Sequence, residues 1–123
     1  GSGLAQANRV TPKMVAELMV KVANNEGNLG ALETYLPVAG KTGTLAGRFN
    51  GPNAMAQKFV KGKSGYIPGL YSLAGIIDAK DGSRLAYALF ARSGDGKSVG
   101  YSARPALDTA ATRFYPCGGG LTR

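Results

Sequence analysis

Two short runs in this chain place a lysine, a hydroxyl residue and a glycine in succession: Lys63-Ser64-Gly65 and Lys41-Thr42-Gly43. A lysine supplies fixed positive charge, a hydroxyl can donate to a carboxylate, and a glycine lets a ligand backbone approach with no Cβ in the way. The first run lies in Phe59 to Ile67, which reads as a strand. The second sits in the glycine-rich stretch between Pro37 and Pro52, which reads as a long loop. On an edge strand the first run could receive an extended peptide as an added strand. Strict alternation sends Lys63 and Ser64 to opposite faces, so their cooperation calls for twist or a bulge near Gly62.

Other chemistries fit these residues less well. Gly62-Lys63-Ser64 and Gly40-Lys41-Thr42 both resemble the end of a phosphate-binding loop, but Gln57 and Tyr35 stand where its first glycine is needed. No acid occurs from residue 34 to residue 77, whereas Lys41, Arg48, Lys58, Lys61 and Lys63 all fall there. That stretch should attract anions, either as a solvated basic face or as a site for an anionic polymer or a carboxylate-bearing ligand. No recognisable nucleic-acid module accompanies it, so nucleic acid is not expected as a partner.

Two absences prune further. The chain has no histidine and one cysteine. A Ser-His-Asp triad, a Cys-His dyad and a zinc site built on His or paired Cys within this chain are excluded. Cys117 cannot form an intrachain disulfide and reads as a passive thiol. No cofactor and no metal is called for, and no apolar run is long enough to span a bilayer.

The supporting elements follow from length and period. At 123 residues with 44% apolar content and a net charge of +8, one domain with one core is expected. Thr11-Pro12 starts a helix over about 12–24, with Met14, Val15, Leu18, Met19 and Val22 on a core-facing stripe. Leu29, Leu32, Tyr35 and Leu36 suggest a short second helix ended by Pro37. Strands are expected at about 58–67, 70–78 and 84–92, joined by Pro68-Gly69 and Asp81-Gly82 turns. The second and third are apolar on both faces and need cover on both sides. The more polar first strand should be an edge. Ser93 to Gly100 reads as a flexible loop, 101–115 as a helix presenting Leu107, Ala110, Ala111 and Phe114, and Cys117 to Gly120 as a fraying tail.

The run Gly62-Lys63-Ser64-Gly65-Tyr66-Ile67, followed by Ser72-Leu73-Ala74-Gly75, Asp81-Gly82 and Leu85-Ala86-Tyr87-Ala88, resembles the third active-site motif of penicillin-binding D,D-peptidases. The match is best to the class C low-molecular-mass type, D-alanyl-D-alanine carboxypeptidases and endopeptidases. Upstream, Gly1-Ser2-Gly3-Leu4, Asn8 to Pro12, Leu36 to Gly40, Gly43-Thr44-Leu45 and Arg48-Phe49 resemble the same family in the same order. The resemblance implies an α+β fold, the C-terminal part of a D,D-peptidase/β-lactamase-like transpeptidase fold with an antiparallel meander flanked by helices. It makes Lys41-Thr42-Gly43 a chance copy.

The family uses Ser-x-x-Lys and Ser-x-Asn motifs, and neither pattern occurs in these residues. The resemblance therefore implies a chain beginning after both, inactive alone and partnered by an upstream portion of the same protein. By resemblance Lys63 supports electrostatics and proton traffic, Ser64 binds a terminal carboxylate, and the Tyr66 N–H completes an oxyanion hole beside Gly65. Leu45, Arg48 and Ile67 would meet the peptide's side chain. Peptidoglycan stem peptides and β-lactams are the implied ligands, and the periplasm or cell wall the implied location. A non-catalytic basic module for cell-wall or nucleic-acid polyanions is the alternative from another class, and a β-lactamase sharing the motif a third.

Overall fold

The computed structural model describes residues 4–94 and 99–122. Gly1-Ser2-Gly3 and part of the expected Ser93–Gly100 loop lie outside the described residues.

Helix α1 spans Pro12–Ala23. Thr11 is extended, and its hydroxyl accepts the Met14 N–H at 3.1 Å, while Pro12 stands where an N–H would be unsatisfied anyway. Helix α2 is short, Ala31–Tyr35, and ends before Pro37, which cannot continue it. Strands β1 (Val60–Ile67), β2 (Leu70–Asp78) and β3 (Arg84–Arg92) form an antiparallel meander in the order β1-β2-β3. Strand β1 starts two residues later than its period suggests, because Lys58 has φ 75° and its N–H turns to the Ala39 carbonyl at 2.9 Å.

The pairing of β1 with β2 runs one to one from Val60↔Ile77 to Ile67↔Leu70, without a bulge. Gly62 faces Gly75, and a Cβ on Gly75 would lie 2.0 Å from the Lys61 carbonyl oxygen, so only glycine permits this approach.

Helix α3 (Ala103–Cys117) packs on one face of the sheet, where Leu107 and Ala111 join Val60, Leu73, Ile77 and Tyr87 in the core. Ala74 and Ile76 alternate to the other face, which α1 covers. Both apolar strands are thus covered on both sides. The expected α1 stripe is only partly inward: Val22 is buried, but Met14 and Leu18 are 55% and 44% exposed. Val15 and Met19 lie between these extremes, half-buried.

The C-terminal tail does not fray. Gly118–Thr122 forms a 3₁₀ turn, and Asp81 accepts the Gly119 N–H at 2.9 Å. Gly118 has φ 51°, and a Cβ there would sit 2.3 Å from the Asp81 carboxylate. Hydrogen bonds from Ser83 and Gly119 hold the Asp81 carboxyl down at about 2.

Part of the basic middle is neutralised by acids just outside it. Lys61 Nζ lies 2.9 Å from Glu33 and 3.1 Å from Asp78, and Arg84 pairs with the same two carboxylates. Burial opposes charge on Glu33, but hydrogen bonds from Arg84 and Lys61 outweigh it and hold the carboxyl below its ordinary range. Burial likewise opposes the Lys61 charge, and its bonds to Glu33 and Asp78 win, raising its pKa. This network ties α2 to the sheet.

Candidate functional site

The edge of β1 is closed over its first half and open over its second. Val38 bridges Lys61, the Ala39 N–H donates to the Val60 carbonyl at 2.9 Å, and the Gly62 N–H donates to the Pro37 carbonyl at 2.9 Å. In an antiparallel ladder, alternate residues turn both backbone groups the same way. Ser64 and Tyr66 therefore point their N–H and C=O off the sheet edge, past the end of the closing segment.

Register without a bulge keeps Lys63 and Ser64 on opposite faces. Lys63 shares a face with Ala74 and borders an apolar groove of about 250 Å³ lined by Met19, Val22, Leu32, Tyr35, Leu36 and Pro37. Its ammonium nevertheless returns to the edge, where it donates to the outward carbonyl of Ser64. A flexible four-carbon stem does what a bulge was expected to do.

Ser64 faces α3. Its Oγ donates to Thr44 Oγ1 at 3.0 Å. There it lines a cleft of about 230 Å³ with Gly65 and Tyr66 of β1, Tyr71 and Ser72 of β2, Arg104 and Leu107 of α3, and Arg48. The Tyr66 and Tyr71 rings lie 4.6 Å apart at 34°. A Cβ on Gly65 would come within 2.5 Å of Ser72 Oγ across the ladder, so a side chain there would have to displace that hydroxyl.

The residues expected to meet a peptide side chain are dispersed. Leu45 is fully buried in the core, so its side chain has no surface to offer a peptide: Phe49, Ala56 and Val60 enclose it in one cluster. Arg48 reaches the cleft, but it is 8% exposed and its guanidinium forks onto Asp108, at 2.6 Å from Nη2 and 3.2 Å from Nε. Ile67 is half-buried beside the Pro68-Gly69 turn, on the face of Lys63, away from the cleft. The lookalike Lys41-Thr42-Gly43 has a structural part. Thr42 Oγ1 accepts the Val38 N–H at 2.9 Å and shapes the segment that closes the first half of the edge, while Lys41 is exposed. Ser72 and Arg104 went unsuspected as cleft residues, and Thr44 as the hydroxyl partner of Ser64. Thr44 had one signal, its place right after the lookalike; Arg104, in a helix remote in sequence, had none.

Among the described residues no group of three or more His, Cys, Asp or Glu side chains could hold a metal ion. No described helix is long and apolar enough to cross a membrane.

Comparison with known proteins gives a consistent relationship. The chain is 37% identical over 90 residues to D-alanyl-D-alanine carboxypeptidase DacB of Haemophilus influenzae, covering 73% of this chain and 19% of that protein. It is 32% identical over 122 residues to carboxypeptidase DacB of Mycolicibacterium smegmatis, covering 97% of this chain and 25% of that one. The fold matches penicillin binding protein 4 (dacB) from Haemophilus influenzae, solved in complex with a novel β-lactam, with a TM-score of 0.74 and 27% identity over 94% of this chain and 28% of that one. The chain thus spans about a quarter or less of the length of these curated relatives. The model of the D-Ala-D-Ala carboxypeptidase 3 (S13) family matches residues 1–114, and the chain belongs to that family.

Proposed function

We propose that this chain forms one wall of the active site of a serine-type D-Ala-D-Ala carboxypeptidase or endopeptidase that acts on peptidoglycan stem peptides outside the cytoplasm. The nucleophilic serine and its lysine lie outside these 123 residues, since no serine here has a lysine three positions on. The observation that carries the reading is the half-open β1 edge, where the backbone of Ser64 and Tyr66 turns outward and the Lys63 ammonium meets the same line.

A stem peptide lies along that edge as an added strand, its backbone pairing with the outward groups of Ser64 and Tyr66. The external serine attacks the carbonyl of the penultimate residue, forming an ester and expelling the terminal D-Ala, and water then hydrolyses the ester. The Tyr66 N–H donates to the oxyanion formed in each step, and the Lys63 charge lowers the cost of that developing negative charge. The Ser64 hydroxyl donates to the terminal carboxylate. A β-lactam follows the same path as far as the ester.

The basic-module alternative is weakened by the pairing of Lys61 and Arg48 with acids, which removes two of the charges it would rest on. The open apolar flank of α1 and α2, with Met14 and Leu32 about half exposed, supports cover by another part of the same protein.

The experiment is labelling with a fluorescent penicillin. The complete protein should carry a stable adduct on a serine outside this chain, and the 123-residue chain alone should carry none. An adduct on the isolated chain would refute the external nucleophile; an unlabelled complete protein would refute the peptidase.

A further inference from the structure

We infer that Arg104, in the first turn of α3, is a specificity-determining residue that holds the carboxylate of the ligand across the cleft from Ser64. The inference rests on β1 being the active-site wall.

Two arginines line the cleft, and the situations of their guanidinium groups differ. That of Arg48 is buried and neutralised by Asp108. That of Arg104 is half-buried and pairs with no acid among the described residues: Nη1 donates to the Tyr101 hydroxyl at 3.0 Å, and the group stands 5.0 Å over the Tyr101 ring. Both contacts are to the exposed Tyr101 side chain, and most of the five N–H donors of the fork remain for a ligand. The backbone of Arg104 is tied to the buried pair, since Arg48 Nη2 donates to its carbonyl at 3.4 Å.

Alternation decides which cation serves the carboxylate. Lys63 lies on the α1 face and its ammonium goes to the strand edge, whereas Ser64 faces α3. A carboxylate bound to the Ser64 hydroxyl is on the same face as Arg104. The hydroxyl pair accommodates it, because Thr44 O–H can donate to Ser64 Oγ and release the Ser64 proton toward the ligand. The ligand class is a carboxylate, which a planar fork and a hydroxyl recognise together. The cleft volume of about 230 Å³ is below the roughly 300–1,000 Å³ of a pocket for a drug-sized molecule, so it takes the end of a peptide and not its length.

The test compares acylation of the complete protein by penicillin and by penicillin methyl ester, which lacks the negative charge. Arg104→Met should slow acylation by penicillin about 10- to 100-fold, the worth of one charge-assisted hydrogen bond, and leave the rate with the ester within about threefold. Arg104→Lys, which keeps the charge but loses the fork, should fall between. Raising ionic strength should slow the wild type more than Arg104→Met, in which the Lys63 charge remains. Equal losses with both probes, or no loss with either, would overturn the role of Arg104 while leaving the peptidase reading intact. A wild-type protein that penicillin does not acylate would overturn both.

Discussion

Ser64 Oγ and Thr44 Oγ1 lie 3.0 Å apart, joining an edge strand to a loop twenty residues earlier in the chain. The loop is held in turn by the Val38–Lys61 bridge and by the Thr42 hydroxyl. Thr44→Val, in the complete protein, should therefore raise KM severalfold with little change in kcat. In a double-mutant cycle with Ser64→Ala the two sites should couple by about 0.5–1.5 kcal/mol, the net worth of a hydrogen bond. Additive effects would mean that the contact does not position Ser64.

The Arg48–Asp108 pair has both side chains under 10% exposed, at 9% and 7%. Removing one partner strands a buried charge, so Asp108→Asn should cost about 3–5 kcal/mol in chemical denaturation, whereas Arg48→Met with Asp108→Leu should cost far less. The comparison separates the need for a neutral core from the need for this pair.

The Glu33–Lys61–Asp78–Arg84 network gives a pH dependence with a definite sign. The Glu33 pKa is lowered in the fold from an ordinary 4.5, so its contribution is present above 4.5 and is lost as pH falls through the lower folded value. The Lys61 pKa is raised from 10.5, so its contribution is present below 10.5 and is lost as pH rises through the higher folded value. Denaturant midpoints across acid pH should decline in the wild type and decline less steeply in Glu33→Gln.

Asp81 makes a local switch of the tail. Its carboxyl sits at about 2 against an ordinary 3.8, so the anchor on Gly119 should hold above pH 3.8 and loosen as pH falls toward 2. Amide exchange at Gly119 should be faster in Asp81→Ala than in the wild type at neutral pH. Equal protection in the two would place the anchor elsewhere.

Much of the architecture was legible because it rests on local patterns. The short, nearly unbroken apolar runs across residues 70–78 and 84–92 are those of strands covered on both faces, and the strands are found there. The turn signals Pro68-Gly69 and Asp81-Gly82 fall where the chain reverses. What was illegible depends on partners distant in sequence. Leu45 reads as an ordinary loop leucine, and only packing against Phe49, Ala56 and Val60 makes it core. Arg48 reads as a free cation until Asp108, sixty residues away, meets it. The polyglycine tail has a composition that frays unless something binds it, and a carboxylate in a hairpin turn, remote in sequence, accepts its Gly119 N–H. Lys63 and Ser64 were correctly sent to opposite faces by alternation, but only side-chain geometry brings the ammonium back to the edge.

The central claim is that the edge of β1, and not its lookalike, is the active-site wall. The measurement is the rate of penicillin acylation of the complete protein carrying either Lys63→Ala or Lys41→Ala. The expected result is a loss of about 100-fold or more for Lys63→Ala, as for a group that stabilises developing charge, and a rate within about twofold of wild type for Lys41→Ala. Comparable losses in the two variants, or the larger loss in Lys41→Ala, would contradict the claim.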